Sequence, residues 1–292
     1  MRYNELIEQI TRDMADSNLT PWHCPWTRPK NIRGNRYRGF NLLILNFLTR
    51  DKDYKAKVYM TARQANELGG NIKKDEKGFP VCFYQPRRLE EVKDENGETW
   101  LEEKHGFLRC YTVFNVEQTE NVNLPQNVLE EVKRNWEPLE RADEIVLNYK
   151  DRPKIKASSA GGAFYVPSKD EVYLPPLKDF ESVESFYSTA FHELTHSTGH
   201  EKRLNRKTLT ALAGFGSNDY SLEELIAEIG CTMLLSECNL YNRIEQRQSA
   251  GYVKGWIRKF KEKPALLWQS AAKAQKAVDW ILGAKFNKEN NK

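Results

Sequence analysis

The chain has 292 residues, of which 39% are hydrophobic, 29% charged and 11% aromatic, with a mean hydropathy of -0.73. That balance excludes a disordered, collagen-like or disulfide-scaffold chain, and the length suits two domains. Charge is uneven: between Pro21 and Arg88 fifteen Lys/Arg stand against five Asp/Glu, an excess of ten in a chain whose net charge is +4, so the remainder carries -6. A basic segment joined to an acidic one points to a polyanionic partner for the first part and different work for the second.

In chain order, residues 3 to 16 place Leu6, Ile7, Ile10 and Met14 on one helical face. A proline-punctuated aromatic loop follows, Pro21-Trp22-His23-Cys24-Pro25-Trp26, then a basic stretch and an apolar helix from Leu42 to Leu48. The Thr61 to Leu68 segment predicts a short helix with a Thr N-cap, stopped by Gly69-Gly70. Strands are expected at Pro80 to Gln85 and Phe107 to Val116, with the acidic segment Glu90 to Lys104 as an exposed hairpin connection. Residues 119 to 137 mix Asn, Pro and charge without a period and read as a linker. The expected fold is therefore α+β in two domains, residues 1–130 and 131–292.

In the second half a helix is expected near Leu139 to Asn148, then a hairpin of Ala163 to Val166 and Glu171 to Leu174 around Pro167-Ser168-Lys169-Asp170. Amphipathic helices follow from Val183 and from Leu222, and two more span Ala250 to Phe260 and Pro264 to Leu282, with Gly283 as a stop. No apolar run approaches the ~20 residues of a membrane span, and the start lacks a signal peptide's apolar core, so a cytoplasmic protein without membrane contact is expected. The five cysteines, Cys24, Cys82, Cys110, Cys231 and Cys238, are scattered without a C-x-x-C pair, which indicates neither a disulfide framework nor a cysteine metal site.

The sharpest motif is His192-Glu193-Leu194-Thr195-His196, an H-E-x-x-H. Two histidines four apart share a helix face and can hold one Zn2+, with Glu193 between them as general base. At about 100° per residue from Val183 they fall at about 180° and 220°, opposite the apolar stripe. A catalytic zinc site takes three protein ligands and leaves one position open. The metzincin continuation fails at Lys202, and His200, past Gly199, is placed behind the metal or on the substrate side. Glu224 is the better third ligand, with Glu228 one turn on as the carboxylate that orients a histidine. Ser221-x-x-Glu224 is also a capping box, so the same residues serve a helix start. A peptide substrate would add along Glu171 to Leu174 or its partner strand, and Tyr220 and His200 are the candidates for oxyanion stabilisation. Zinc is the default for a His2Glu set, with manganese and cobalt as alternatives.

In the basic half, Trp22, Trp26, Tyr37, Phe40, Tyr54, Tyr59, Phe83 and Tyr84 are interleaved with the cations. Rings for stacking beside Lys/Arg for phosphates are what single-stranded DNA requires, with Phe40 and Phe83 expected in the core instead.

Taken together, the ordered motifs resemble the ArdC-type antirestriction proteins of conjugative plasmids and other mobile elements. The first half matches at Pro21-Trp22, Pro25-Trp26, Tyr37-Arg38-Gly39-x-Asn41, the Thr61 to Gly70 stretch with Lys73-Lys74, and Tyr111-x-Val113-Phe114-Asn115-x-x-Gln118. The second matches at His192 to His200 with Arg203-Leu204, at Glu223-Glu224-Leu225-x-Ala227-Glu228, and at Tyr252-x-x-x-Trp256. The resemblance implies a single-stranded-DNA-binding domain followed by a zincin-like metallopeptidase domain, in a protein that protects incoming DNA from restriction. Its DNA-binding candidates are Trp22, Trp26, Arg28, Arg33, Arg36, Tyr37, Arg38, Asn41, Lys73 and Lys74. The alternative reading keeps the DNA-binding protector and treats the zincin domain as a scaffold without peptidase turnover. Two departures are visible: the family has a tryptophan near Tyr59-Met60-Thr61 and a glycine where Asp75 stands, a residue that tolerates a left-handed turn.

Overall fold

The computed structural model describes residues 3–24, 26–85, 88–93, 99–104, 107–124, 137–158, 162–210, 218–241 and 249–284. Helix α1, Tyr3–Ser17, buries Leu6, Ile7, Ile10 and Met14, the apolar face the spacing predicts. Then come β1 (Lys30–Asn31), α2 (Gly39–Leu48), β2 (Val58–Met60), α3 (Ala62–Glu67), β3 (Asn71–Ile72), β4 (Phe79–Gln85), β5 (Arg88–Lys93), β6 (Thr99–Lys104), β7 (Phe107–Asn115) and β8 (Thr119–Glu120). Thr61 caps α3 in a reciprocal capping box with Gln64. Asp75 takes a φ of 63°, the left-handed turn its position demands. Strands β1, β2, β7 and β4 form one sheet in that order, and α2 packs on β4. The Glu90 to Lys104 segment is more regular than a connection: β5 and β6 pair antiparallel from Arg88↔Lys104 to Lys93↔Thr99.

The remaining elements are α4 (Pro138–Asn148), β9 (Lys154–Ala157), β10 (Phe164–Val166), β11 (Glu171–Leu174), α5 (Val183–Ser197), α6 (Lys207–Thr210), α7 (Asn218–Glu237), α8 (Ala250–Glu262) and α9 (Ala265–Ile281). The hairpin of β10 and β11 forms as its turn residues predict, but β9 joins on the other side, parallel to β11. Glu171–Leu174 is therefore central and already paired on both edges, so it offers no edge to a peptide; of the two strands expected, only β10 does. Strand β9 escapes sequence patterning because Lys154, Ile155, Lys156 and Ala157 are all exposed.

One hydrophobic core crosses both halves of the chain. It joins Leu6, Ile10, Trp22 and Phe40 from the first half to Phe191, Leu225, Phe260, Leu267 and Val278 from the second. Helix α1 packs on α8, and α9 lies against both α2 and α7. Among the described residues no helix is long and apolar enough to cross a membrane.

The cysteines depart from expectation in one place: Cys82 and Cys110 are bonded through sulfur across β4 and β7. Register explains it. Cys82 lies directly opposite Cys110, and its backbone N–H donates to Asn41 Oδ1 at 2.7 Å rather than to β7, a pairing geometry that brings side chains close. A separation of 28 residues hides that register from the sequence.

Helices α5 and α7 make an unusually close approach at Gly230. A Cβ there would stand 2.6 Å from Thr195 Cγ2, and Thr195 is held by its own hydroxyl bond to Phe191 O at 2.7 Å. Gly230→Ala is expected to cost about 1–3 kcal/mol through overpacking, read as a lowered midpoint in chemical denaturation of the metal-free chain; an unchanged midpoint contradicts this packing.

Candidate metal centre

Helix α5 starts at Ser182, whose side chain accepts the Ser185 N–H, and brings His192, Glu193 and His196 to one region. Helix α7 crosses beside it and presents Glu224. Among the described residues, His192, His196 and Glu224 form the group whose ligand atoms lie within 4.8 Å of one another. The two Nε2 atoms are 3.1 Å apart, and Glu224 stands 3.6 Å from His192 and 3.5 Å from His196. Around a tetrahedral ion with ligand bonds of about 2.05 Å, donor atoms are separated by about 3.3 Å, so this donor set fits a divalent cation. Burial opposes a charge on His192, but Glu224, Glu193 and Glu228 outweigh it and hold its pKa above the ordinary value. A cation is what such a concentration of carboxylates calls for.

His196 Nδ1 lies 3.5 Å from Glu223 Oε1, which leaves Nε2 as the ring nitrogen that faces the ligand group. Burial pushes the Glu223 carboxyl up, yet bonds from His196 and Arg206 and the guanidinium charge prevail and hold it down at about 2. Arg206 grips Glu223 through two nitrogens and donates to Thr195 O at 3.0 Å and Thr198 Oγ1 at 2.5 Å, tying α7 to the end of α5. Glu223 and Arg206 were absent from the candidates drawn from the sequence. An acid in the first turn of a helix reads as a capping residue, and Arg206 carries no spacing signal.

Glu193 and Glu228 line a cleft of about 340 Å3 with His192, Ser188, Thr189, Ala163 and His23. Glu228 accepts from Trp22 Nε1 at 2.5 Å and from the Tyr252 hydroxyl. It shares the cleft with His192 and favours charge on that ring, while Glu223 is the carboxylate nearest His196 Nδ1. His200 is buried in the turn after α5, where its Nδ1 accepts the Lys202 N–H at 3.2 Å; it does not line the cleft. The Tyr220 side chain lies outside the described residues.

The DNA-binding candidates divide sharply. Trp22 and Trp26 are 0% and 5% exposed, so neither ring is open to a base, a correction with a simple cause: both fill the core shared by the halves. Arg28 donates to Ser236 O at 2.7 Å, Arg36 lies 3.7 Å from Glu237, and Arg38 pairs with Asp279. Tyr37 packs edge-on against Tyr59, and Asn41 is buried as the acceptor for Cys82. Lys73 donates to Glu117 O at 2.8 Å while remaining exposed, and Arg33 and Lys74 are exposed. The open rings of the first half are others among the described residues: Phe83, expected in the core but set on the outer sheet face, is 51% exposed, Tyr84 51% and Tyr111 40%. Phe83 meets Tyr111 at 5.8 Å, and the Arg109 guanidinium lies 5.4 Å over the Tyr111 ring. Alternation in β4 and β7 puts these three on one sheet face, a signal present in the sequence once the strands are paired.

Replacing Glu223 by Gln keeps shape and removes charge. Metal affinity is expected to fall about 10- to 100-fold, measured by competition with a chromophoric chelator, and an unchanged affinity would remove Glu223 from the support of His196.

Comparisons with known proteins cover both halves of the chain. Residues 2–114 match the model for the N-terminal domain of anti-restriction factor ArdC, and residues 140–273 match that for a zincin-like metallopeptidase. The crystal structure of the antirestriction protein ArdC from plasmid R388, in its metal-free form, superposes with a TM-score of 0.74 at 32% identity, covering 96% of each chain. Its Mn(II)-bound form gives the same score over 98% of this chain and 99% of that one. DNA primase TraC of Escherichia coli is 33% identical over 96% of this chain, and an uncharacterized Sinorhizobium fredii protein, y4eC, is 29% identical over 99% of it. The chain spans 27% and 20% of the length of two TraC primases, but 92% of y4eC.

Proposed function

The chain belongs to the ArdC family of antirestriction proteins, with the zincin-like domain of that family, and from this premise we propose that it protects the incoming DNA of a mobile element in the recipient cytoplasm by binding single strands and by peptidase-type chemistry at His192, His196 and Glu224. The observation that carries the reading is the convergence of two Nε2 atoms and a carboxylate from separate helices on one point, with Glu193 in the adjoining cleft.

A divalent cation held there, zinc by the character of the donors and manganese or cobalt as alternatives, supplies Lewis acidity toward a scissile carbonyl. The remaining steps fall to side chains. Glu193 takes a proton from the attacking water and returns it to the leaving amine. Glu223 keeps the His196 Nε2 lone pair directed at the ion. Strand β10 is the edge on which an extended peptide aligns.

Single-stranded DNA is assigned to the face of Phe83, Tyr111 and Arg109, with Arg33, Lys73 and Lys74 as phosphate contacts. Exposed rings beside a guanidinium support stacking there, in place of the buried tryptophans.

Two experiments test the halves of this proposal. Wild-type protein is expected to hold about one metal ion per chain by elemental analysis and Glu224→Ala almost none, while Glu193→Gln retains metal and loses peptide hydrolysis. Protection against restriction that survives Glu193→Gln refutes peptidase chemistry as its mechanism and leaves the zincin domain as a scaffold. For DNA, Phe83→Ala and Tyr111→Ala are each expected to lower affinity for an oligothymidylate by about 1–3 kcal/mol in anisotropy titrations, and Arg109→Ala to flatten the salt dependence. Wild-type affinity in all three variants rejects this face.

A further inference from the structure

Trp22 lies in the basic half of the chain, yet its surroundings come from the other half. The indole meets Trp256 edge-on at 5.4 Å and Phe260 at 6.1 Å, and its own carbonyl accepts the Tyr241 hydroxyl at 3.0 Å. Stacking a fully buried ring explains its burial but not the direction of its N–H, which points at Glu228 Oε2. The Tyr252 hydroxyl donates to the same oxygen. Glu228 stands one helical turn beyond Glu224 and shares the cleft wall with His192. Burial, with the neighbouring Glu224, raises the Glu228 pKa against the opposing pull of Tyr252, His192 and Trp22, and the two bonds to Oε2 are the contacts that fix its rotamer. The next residue, His23, lines the same cleft, with Nδ1 2.9 Å from Thr20 Oγ1. Burial lowers its pKa to about 4, so it faces the cleft as a neutral ring at physiological pH.

We propose that the metal centre is completed by the first half of the chain: Trp22 is a positioning residue whose indole N–H holds Glu228 against His192. The inference rests on the reading of His192, His196 and Glu224 as a metal site. In its absence the carboxylate keeps only the Tyr252 anchor and swings within the cleft, which weakens the support of His192 rather than the ligand set itself. Partners of this kind govern metal affinity by about 10- to 100-fold.

The test uses the full chain and reads equilibrium binding of Zn2+ and of Mn2+ by chelator competition, not turnover. Trp22→Phe is compared with a variant carrying benzothienylalanine at position 22, which keeps the whole bicycle and replaces the N–H by sulfur, so that packing and hydrogen bonding separate even if Trp22→Phe fails to fold. Affinity at least 10-fold weaker with benzothienylalanine, at an unchanged unfolding midpoint of the metal-free chain, supports the proposal. Combining it with Tyr252→Phe is expected to give a coupled rather than additive loss, since both act on one oxygen. Wild-type affinity in the benzothienylalanine variant overturns the proposal while leaving the metal site standing. Absence of metal binding in the wild type overturns the metal-site reading itself.

Discussion

The contact between α5 and α7 sets the rest of the second half. Gly230 lets the helices approach until Thr195 fills the space a side chain would take, and at that separation Glu224 reaches the pair of histidines. Arg206 then closes the joint. Its guanidinium accepts no compromise in geometry, because it binds Glu223 on one helix and the terminal carbonyls of the other at once. A buried ion pair contributes little net stability after desolvation, but breaking one side leaves an unpaired charge, so the pair acts as a gauge of helix position. The donor geometry is a consequence of that gauge.

A second constraint is the seam between the halves. The sequence shows a basic part and an acidic part, and much of that contrast is complementary within the molecule. Arg28 lies 3.6 Å from Glu237, and Arg38 pairs with Asp279 on α9, whose carboxylate is 7% exposed. Cations that look like a phosphate track in the sequence thus serve partly to dock one half on the other. Arg33, Lys73 and Lys74 are among the cations of the segment that face outward, as does Arg109 on the exposed face of the sheet.

How far the sequence was legible depends on whether an interaction is local. His192, His196 and the α1 face are written in helical periods, and Thr61 and Asp75 in turn chemistry, and each appears where its spacing predicts. The place of Glu224 beside the histidines was legible because a third donor was sought and a carboxylate stood on the polar face of a nearby helix. Interactions set by tertiary register were not. Cys82 and Cys110 meet only because β4 and β7 pair in one alignment, and β9 has no apolar face to announce it. Trp22 was misjudged for the same reason: a tryptophan in a polar, proline-rich loop suggests a surface ring, while its true neighbours lie more than 200 residues along the chain.

The continuous core also bears on inheritance. When a domain keeps its own interior, recombination moves it alone; here α1 and α2 are buried against α8 and α9, so exchanging either half between relatives would place mismatched surfaces in contact. Trp256 meets Trp22 and Asp279 pairs with Arg38 across the seam, so a change on one side alters a contact made by the other. The TraC primases are several times longer than this chain, and the similarity to them covers 96% of it, both halves included. A transfer that kept the seam intact would have to carry both halves together.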